Sequence, residues 1–200
     1  MAETGPEIRA RLYEIAGIAG SLRQASFNRG LLRAAQELAP SSLRITIYDL
    51  GAIPLYNADV EATAVPGSVT ALRDAVRAAD GVLIATPEYN HGVPGVLKNA
   101  IDWLSRPPRG SALDGKPAAV MGASAGMTGT ARAQSQLRQA FVFTNTYALT
   151  QPEVLVARAR EKFDSTGGLT DSATRAHLAK FLARFAQWVE TFAFRADSEK

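Results

Sequence analysis

The sequence predicts an α/β domain, a five-stranded parallel sheet with helices on both faces. Three observations predict it. Short apolar runs alternate with amphipathic helical patterns from Leu12 onward, the pattern of strand–helix–strand units. One run, Gly81-Val82-Leu83-Ile84-Ala85, is apolar throughout, as a strand covered on both faces must be. Three of the runs end in loops of small, hydroxyl and amide residues ahead of the next helix, where ligands of open parallel sheets bind.

The first strand is Leu12–Ala19, followed by a helix over Asn28–Leu38 with Leu31, Leu32, Ala35 and Leu38 on one face. Leu43–Tyr48 alternates, with Leu43, Ile45 and Ile47 directed inward, as in a less buried strand. A loop carrying Pro54, Asn57 and Pro66 leads to a helix over Gly67–Ala79, then to the strand Gly81–Ala85. A helix over Pro94–Ser105, a strand at Ala118–Gly122, a helix over Thr130–Phe143 and a final strand at Val154–Val156 follow. The last helix carries Leu178, Phe181, Leu182, Phe185, Trp188, Val189 and Phe192 at spacings of three and four. Right-handed crossovers leave few ways to wind such a sheet, and the flavodoxin-like order suits this length.

Residues 1–200 read as a single domain with loose ends at 1–10 and 195–200. The composition, 46% hydrophobic and 20% charged, is that of a globular chain. There are no cysteines, which excludes disulfides, thiolate nucleophiles, Cys-ligated zinc and iron–sulfur clusters. Redox chemistry, if present, requires a bound cofactor. The net charge is +3, but the arginines are scattered rather than gathered in a stripe, so no nucleic-acid partner is expected. No apolar run approaches the ~18 residues that span a bilayer, so no membrane partner is expected. The acidic, polar start lacks the features of a signal peptide, which implies a cytoplasmic address.

Gly20-Ser21-Leu22-Arg23-Gln24-Ala25-Ser26-Phe27-Asn28 follows the first strand. Gly20 permits a sharp turn, Ser21, Ser26 and Asn28 offer short donors, and Arg23 adds a charge-assisted bond. With the amides of the helix start they form an anion site suited to a phosphomonoester. The alternative is that Ser26 and Asn28 only cap the helix and Arg23 is solvated. Thr86-Pro87-Glu88-Tyr89-Asn90-His91-Gly92 follows the third strand. There, Pro87 to Asn90 supply backbone amides along the edge of a flat ring, and Tyr89 lines it. Its own alternative is a plain connecting loop with an exposed His91. Gly122-Ala123-Ser124-Ala125-Gly126 follows the fourth strand, and Ser124 and Gly126 border the ring's other side. Together the loops read as a site for flavin mononucleotide, FMN. No G-x-x-x-x-G-K-[ST] or G-x-G-x-x-G occurs, so neither a triphosphate loop nor a dinucleotide fingerprint is present.

At these residues the chain resembles the NAD(P)H-dependent FMN reductase family, which includes quinone, chromate and azo-dye reductases. The resemblance runs from Ile15 to about Glu153. It is carried by Gly20-Ser21-Leu22-Arg23 with Ser26 and Asn28, and by Pro87-Glu88-Tyr89-Asn90 followed by Lys98-Asn99-Ala100-Ile101-Asp102-Trp103. It implies non-covalent FMN, NAD(P)H as co-substrate, a small-molecule electron acceptor and a homodimer or homotetramer. It further implies that Ser21, Arg23, Ser26 and Asn28 hold the phosphate, that Pro87 to Asn90 border the isoalloxazine, and that Ser124 touches it. The third loop departs from the pattern of many relatives, which carry further glycines there. The segment Lys98–Trp103 has helical spacing and is expected to pack, with Asp102 in a structural ion pair. No side chain is expected to act as acid or base, since the flavin does the chemistry. Two other readings stand beside this one. A flavodoxin-type carrier is typically acidic, whereas the isoelectric point here is near 9.4. A nucleotide-binding module without redox chemistry is compatible with the bare fold.

Overall fold

Strand side chains alternate between two cores, one on each face of the sheet. Ile15, Ala19, Leu83, Ala85, Ala119, Met121 and Ala123 turn to one face. Ala16, Ile18, Val82, Ile84, Ala118 and Val120 turn to the other. The computed structural model describes residues 11–198, with side chains as far as residue 193. In order, the elements are β1 (Tyr13–Ala19), α1 (Phe27–Leu38), β2 (Leu43–Tyr48), α2 (Ala58–Thr63), α3 (Gly67–Ala78), β3 (Gly81–Ala85), α4 (Gly95–Leu104), β4 (Pro117–Ala123), α5 (Ala131–Phe143), β5 (Tyr147–Ala148), β6 (Val154–Val156) and α6 (Ser172–Ser198). A short 3-10 turn, Ala159–Glu161, precedes α6.

The sheet order is β2-β1-β3-β4-β5, with β6 also on β4, and every pairing is parallel. This is the expected doubly wound, flavodoxin-like order. Helices α1 and α6 cover one face through Leu31, Leu32, Phe181 and Phe185. Helices α3, α4 and α5 cover the other through Leu72, Val76, Leu97, Ile101, Leu137 and Phe141.

The structure corrects three expectations. The fifth position of the sheet holds two strands rather than one. Tyr147 and Ala148 pair with the start of β4, and Val154 to Val156 pair with its end. Between them lies Pro152, which has no N–H for a ladder, and two paired residues carry too little pattern to be read from sequence. Second, Ile47 is exposed, unlike Leu43 and Ile45, because β2 is the sheet's edge and its end projects past α1. Third, residues 58–63 form α2 within the expected loop. Asn57 caps it by accepting from the Asp59 N–H at 2.8 Å, but it buries no residue, so it has no apolar stripe to detect. Of the ends expected to be loose, 1–10 and 199–200 lie outside the described residues, and the backbone of α6 continues to Ser198.

The Lys98–Trp103 segment packs as its spacing implies. Leu97, Ala100, Ile101 and Trp103 are buried on α4, and Lys98 pairs with Asp102 at 2.6 Å. Asn99 and Trp103 anchor the crossing loop. The Asn99 amide and the Trp103 indole N–H both donate to the Pro54 carbonyl, at 2.9 and 2.8 Å. Asn99 Oδ1 accepts from the Tyr56 N–H at 2.7 Å. Arg73 completes the anchor, donating to the Trp103 carbonyl at 3.0 Å and pairing with Glu61 at 3.2 Å.

Candidate functional site

The carboxyl ends of β1, β3 and β4 are tied together by their own backbone. The Gly20 N–H donates to the Ala85 carbonyl, and the Thr86 N–H to the Met121 carbonyl, each at 2.9 Å. The loops leaving these strands therefore open onto one cleft of about 210 Å³. That is smaller than the ~300 Å³ or more of pockets that enclose a ligand. A larger cleft, about 520 Å³, lies between residues 151–156 and the start of α6, where the Thr174 hydroxyl and the His177 ring are engaged by Asp171 and the Glu153 carbonyl.

From the first loop, Ser21, Arg23, Ser26, Phe27 and Asn28 line the cleft. Ser26 caps α1, its hydroxyl accepting from the N–H groups of Asn28 and Arg29 at 3.2 and 3.5 Å. Ser21 is 4% exposed, and its hydroxyl lies 3.4 Å from that of Tyr89. Arg23 lies over the Phe27 ring at 5.6 Å and has no carboxylate partner among the described residues. The Phe27 N–H, first of the helix, lacks an intrahelical acceptor.

Asn28 does not cap α1. Its side chain turns inward, where Nδ2 donates to the Ala123 carbonyl at 2.9 Å and Oδ1 accepts from the Ala123 N–H at 2.8 Å. At 2% exposure, this reciprocal pair ties the first loop to the end of β4. Gly20 and Leu22 do not line the cleft. Gly20 lies at the bend that follows β1, and a Cβ there would also meet Leu97 and Pro87 at 3.0 to 3.2 Å. Leu22 is 49% exposed beside the cleft.

From the second loop, Pro87, Glu88 and Tyr89 line the cleft. Tyr89 and Gly92 exchange both backbone hydrogen bonds, at 3.1 and 3.0 Å, and Asn90 and His91 between them have φ of 52° and 64°. This is a two-residue turn of the mirror-image type. It amends the expected row of ring-edge amides. Pro87 has no N–H and that of Tyr89 is used within the turn, which leaves the amides of Glu88 and Asn90. His91 stands exposed at the tip with no partner among the described residues.

Glu88 has a task that its motif does not disclose. Thr130, ahead of α5, sits in the left-handed region at φ 74° with no side-chain cap. The Glu88 carboxylate caps α5 from the neighbouring loop, accepting from the N–H groups of Arg132 and Ala133 at 2.9 and 3.2 Å. The Arg132 guanidinium adds an ion pair at 3.4 Å. Burial raises the Glu88 pKa, but the two amides and Arg132 outweigh it and hold the carboxyl below its usual value. The third strand's loop and α5 are also joined where Gln136 Oε1 accepts from the Val93 N–H at 2.7 Å.

From the third loop, Ser124 lines the cleft with Ala123 and Ala125. Its hydroxyl accepts from the Gly126 N–H at 3.1 Å. Gly126 lies outside the cleft lining and its carbonyl accepts from the Arg158 N–H at 3.0 Å. Sequence reasoning missed Ala123 and Ala125 beside Ser124, and it missed Arg160, which lines the same cleft from the turn after β6. It lies far along the chain from every loop motif, so no spacing signals it. Arg106, Arg109 and Arg132 do not line the cleft. Arg132 pairs with Glu88, and Arg106 lies over the Tyr56 ring at 5.5 Å. Among the described residues no cluster of metal-ligating side chains occurs and no helix is long and apolar enough to cross a membrane.

Comparison with known proteins finds similarity over most of the chain. The family described as NADPH-dependent FMN reductase matches residues 13–161. An NAD(P)H-dependent FMN reductase of Pseudomonas aeruginosa is 48% identical over 176 residues, covering 88% of this chain and 95% of that protein. A quinone reductase of Pseudomonas putida is 46% identical over 181 residues, covering 90% of this chain and 97% of its own. Among solved structures, the flavoenzyme NAD(P)H:(acceptor) oxidoreductase of Paracoccus denitrificans superposes with a TM-score of 0.83 at 38% identity, covering 90% of this chain and 99% of that one. The chain belongs to the NADPH-dependent FMN reductase family.

Proposed function

We infer that the protein is an FMN-dependent oxidoreductase that draws electrons from NAD(P)H and delivers two of them to a small acceptor such as a quinone. The observation that carries this reading is the meeting of two unlike donor sets in one cleft. At one end are the buried hydroxyls of Ser21 and Ser26, the capped start of α1 and the guanidinium of Arg23. This set fits a phosphomonoester, which needs many donors and little bulk. Next to it Pro87, Glu88 and a half-exposed Tyr89 line the cleft, with the Glu88 N–H not used within the turn Tyr89–Gly92, a set suited to the polar edge and face of a flat ring.

When bound, FMN supplies the redox chemistry, taking a hydride from the nicotinamide and passing two electrons to the acceptor. The chain's own residues bind and orient. Arg23 and the start of α1 hold the negative end, Asn28 keeps that loop in register with β4, and Glu88 holds the ring loop against α5. Because the Glu88 charge faces α5 and Arg132, it does not oppose an anion in the cleft. The exposed side of the cleft is where donor and acceptor would meet the ring in turn.

The test is an absorbance spectrum of the purified protein, followed by anaerobic addition of NADPH and, separately, NADH. Flavin bands at about 450 nm that bleach on mixing are expected, since the cofactor carries the chemistry, and the faster nucleotide names the donor. A flavin that stays oxidised with both nucleotides overturns the reductase reading in favour of a carrier.

The same reading includes a homo-oligomer, located in the cytoplasm with its supply of reduced nucleotide. The apolar face of α4 is buried within the monomer, so the support for assembly lies elsewhere. Val142 and Phe143, at the end of α5, are 84% and 73% exposed, and adjacent large apolar side chains in the open favour a covered surface. Light scattering that gives a monomer at working concentration overturns the oligomer. Recovery of the activity outside the cytoplasmic fraction overturns the address.

A further inference from the structure

An exposed arginine is ordinarily solvated and has no role. Arg160 differs from that description in its surroundings. Its side chain lines the cleft together with Arg23. Arg29, Arg44, Arg73 and Arg175 all pair with carboxylates, whereas Arg160 has no ion pair or hydrogen bond among the described residues.

The backbone beside Arg160 is held in place. The N–H groups of Arg158 and Ala159 donate to the carbonyls of Gly126 and Ser124, each at 3.0 Å. On its other side Phe163 packs on the Phe27 ring at 5.3 Å. Further along, the Gly167 carbonyl presses on Gly30 so closely that a Cβ there would collide with it. The segment therefore runs along the first turns of α1, and Arg160 stands at the phosphate end of the cleft rather than at the turn Tyr89–Gly92.

A phosphomonoester carries close to two negative charges at neutral pH. Arg23 supplies one positive charge and the start of α1 roughly half of another. Glu88, the carboxylate lining the cleft, faces α5 and leaves the remainder uncancelled. We propose that Arg160 is the second cation of this end, pairing with the FMN phosphate opposite Arg23 and making the site select FMN over riboflavin. The proposal rests on the flavin reading above and adds a residue that lies outside the loop motifs.

Full-length protein freed of flavin is titrated with FMN and with riboflavin by fluorescence quenching, as wild type, Arg160→Ala and Arg160→Lys. Arg160→Ala is expected to weaken FMN roughly ten- to hundredfold, the range of a hydrogen bond to a charged group, while riboflavin affinity holds. Arg160→Lys is expected to recover part of the loss, because it restores a point charge without the planar fork. Arg23→Ala provides the comparison, with the same preference for losing FMN. Equal weakening of both flavins by Arg160→Ala overturns the proposal, since the contact is then not to the phosphate. Unchanged FMN affinity overturns it too, leaving Arg160 a solvated side chain. Wild-type protein that takes up neither flavin overturns the function reading itself, and this proposal with it.

Discussion

Asn28→Ala is expected to lower the stability of the fold by about 2–4 kcal/mol, the cost of leaving two buried backbone groups of Ala123 unpaired. The reason is geometric. Asn28 is the side chain that satisfies both the N–H and the carbonyl of Ala123, at 2.8 and 2.9 Å. Both partners are almost fully buried, so water cannot replace the amide. The same substitution separates the phosphate loop from the third loop, so FMN retention should fall along with stability. Asn28→Asp keeps an acceptor for the Ala123 N–H but places a carboxylate beside the carbonyl, so it should rescue little. Urea denaturation checks the prediction through the midpoint at unchanged slope. An unaltered midpoint in Asn28→Ala shows that the Ala123 pairing contributes nothing to the fold.

The second large effect is expected at Glu88. Its carboxylate, 7% exposed, accepts from two amides at the start of α5 and pairs with Arg132. Glu88→Ala removes the cap and the charge that complements the helix dipole, for a loss of about 1–2 kcal/mol. Glu88→Gln keeps an acceptor without the charge and should fall between the two. The dependence on pH follows from the carboxyl's lowered pKa, in which the amides and Arg132 overcome the upward push of burial. A group whose folded value lies below its unfolded value stabilises the fold above the unfolded value and loses that contribution as pH falls through the folded one. The contribution is therefore complete above about pH 4.5, the ordinary value, and fades below it. Stability measured from pH 7 down to the acid limb should fall more steeply for wild type than for Glu88→Ala. Parallel curves show that the clasp does not depend on the charge. Because the clasp holds the ring loop to α5, FMN retention should follow the same limb.

Much of the architecture was legible in the sequence. The unbroken apolar run of β3 states that it lies at the centre, since only a strand covered on both faces dispenses with polar residues, and the alternation in Leu43–Tyr48 marks β2 as the less buried one. The spacing in α6 shows its buried face in the same way. Legibility failed where an element was short or lay at an edge. Tyr147–Ala148 is too short for a pattern, α2 buries nothing, and Ile47 looks like its inward neighbours until the sheet's edge removes their cover.

The candidate site divides along the same line. Loop composition marked Ser21, Arg23, Ser26, Pro87 and Ser124 as cleft residues, because donors, turns and small side chains follow the local chemistry an anion and a flat ring demand. Roles that depend on a partner distant in the chain could not be assigned that way. Asn28 looked like a helix cap, but it binds β4. Glu88 was expected at the ring's border, and while it does line the cleft, its carboxylate turns to cap α5. Arg160 carried no signal at all. The sequence by itself determined the sheet, its winding and the loops that converge on the cleft, since apolar period and turn chemistry are local properties. Only the tertiary structure decided which polar groups bind protein and which remain free for a ligand. Hydrogen-bond satisfaction is a property of neighbours in space, and those neighbours are set by how the strands pack.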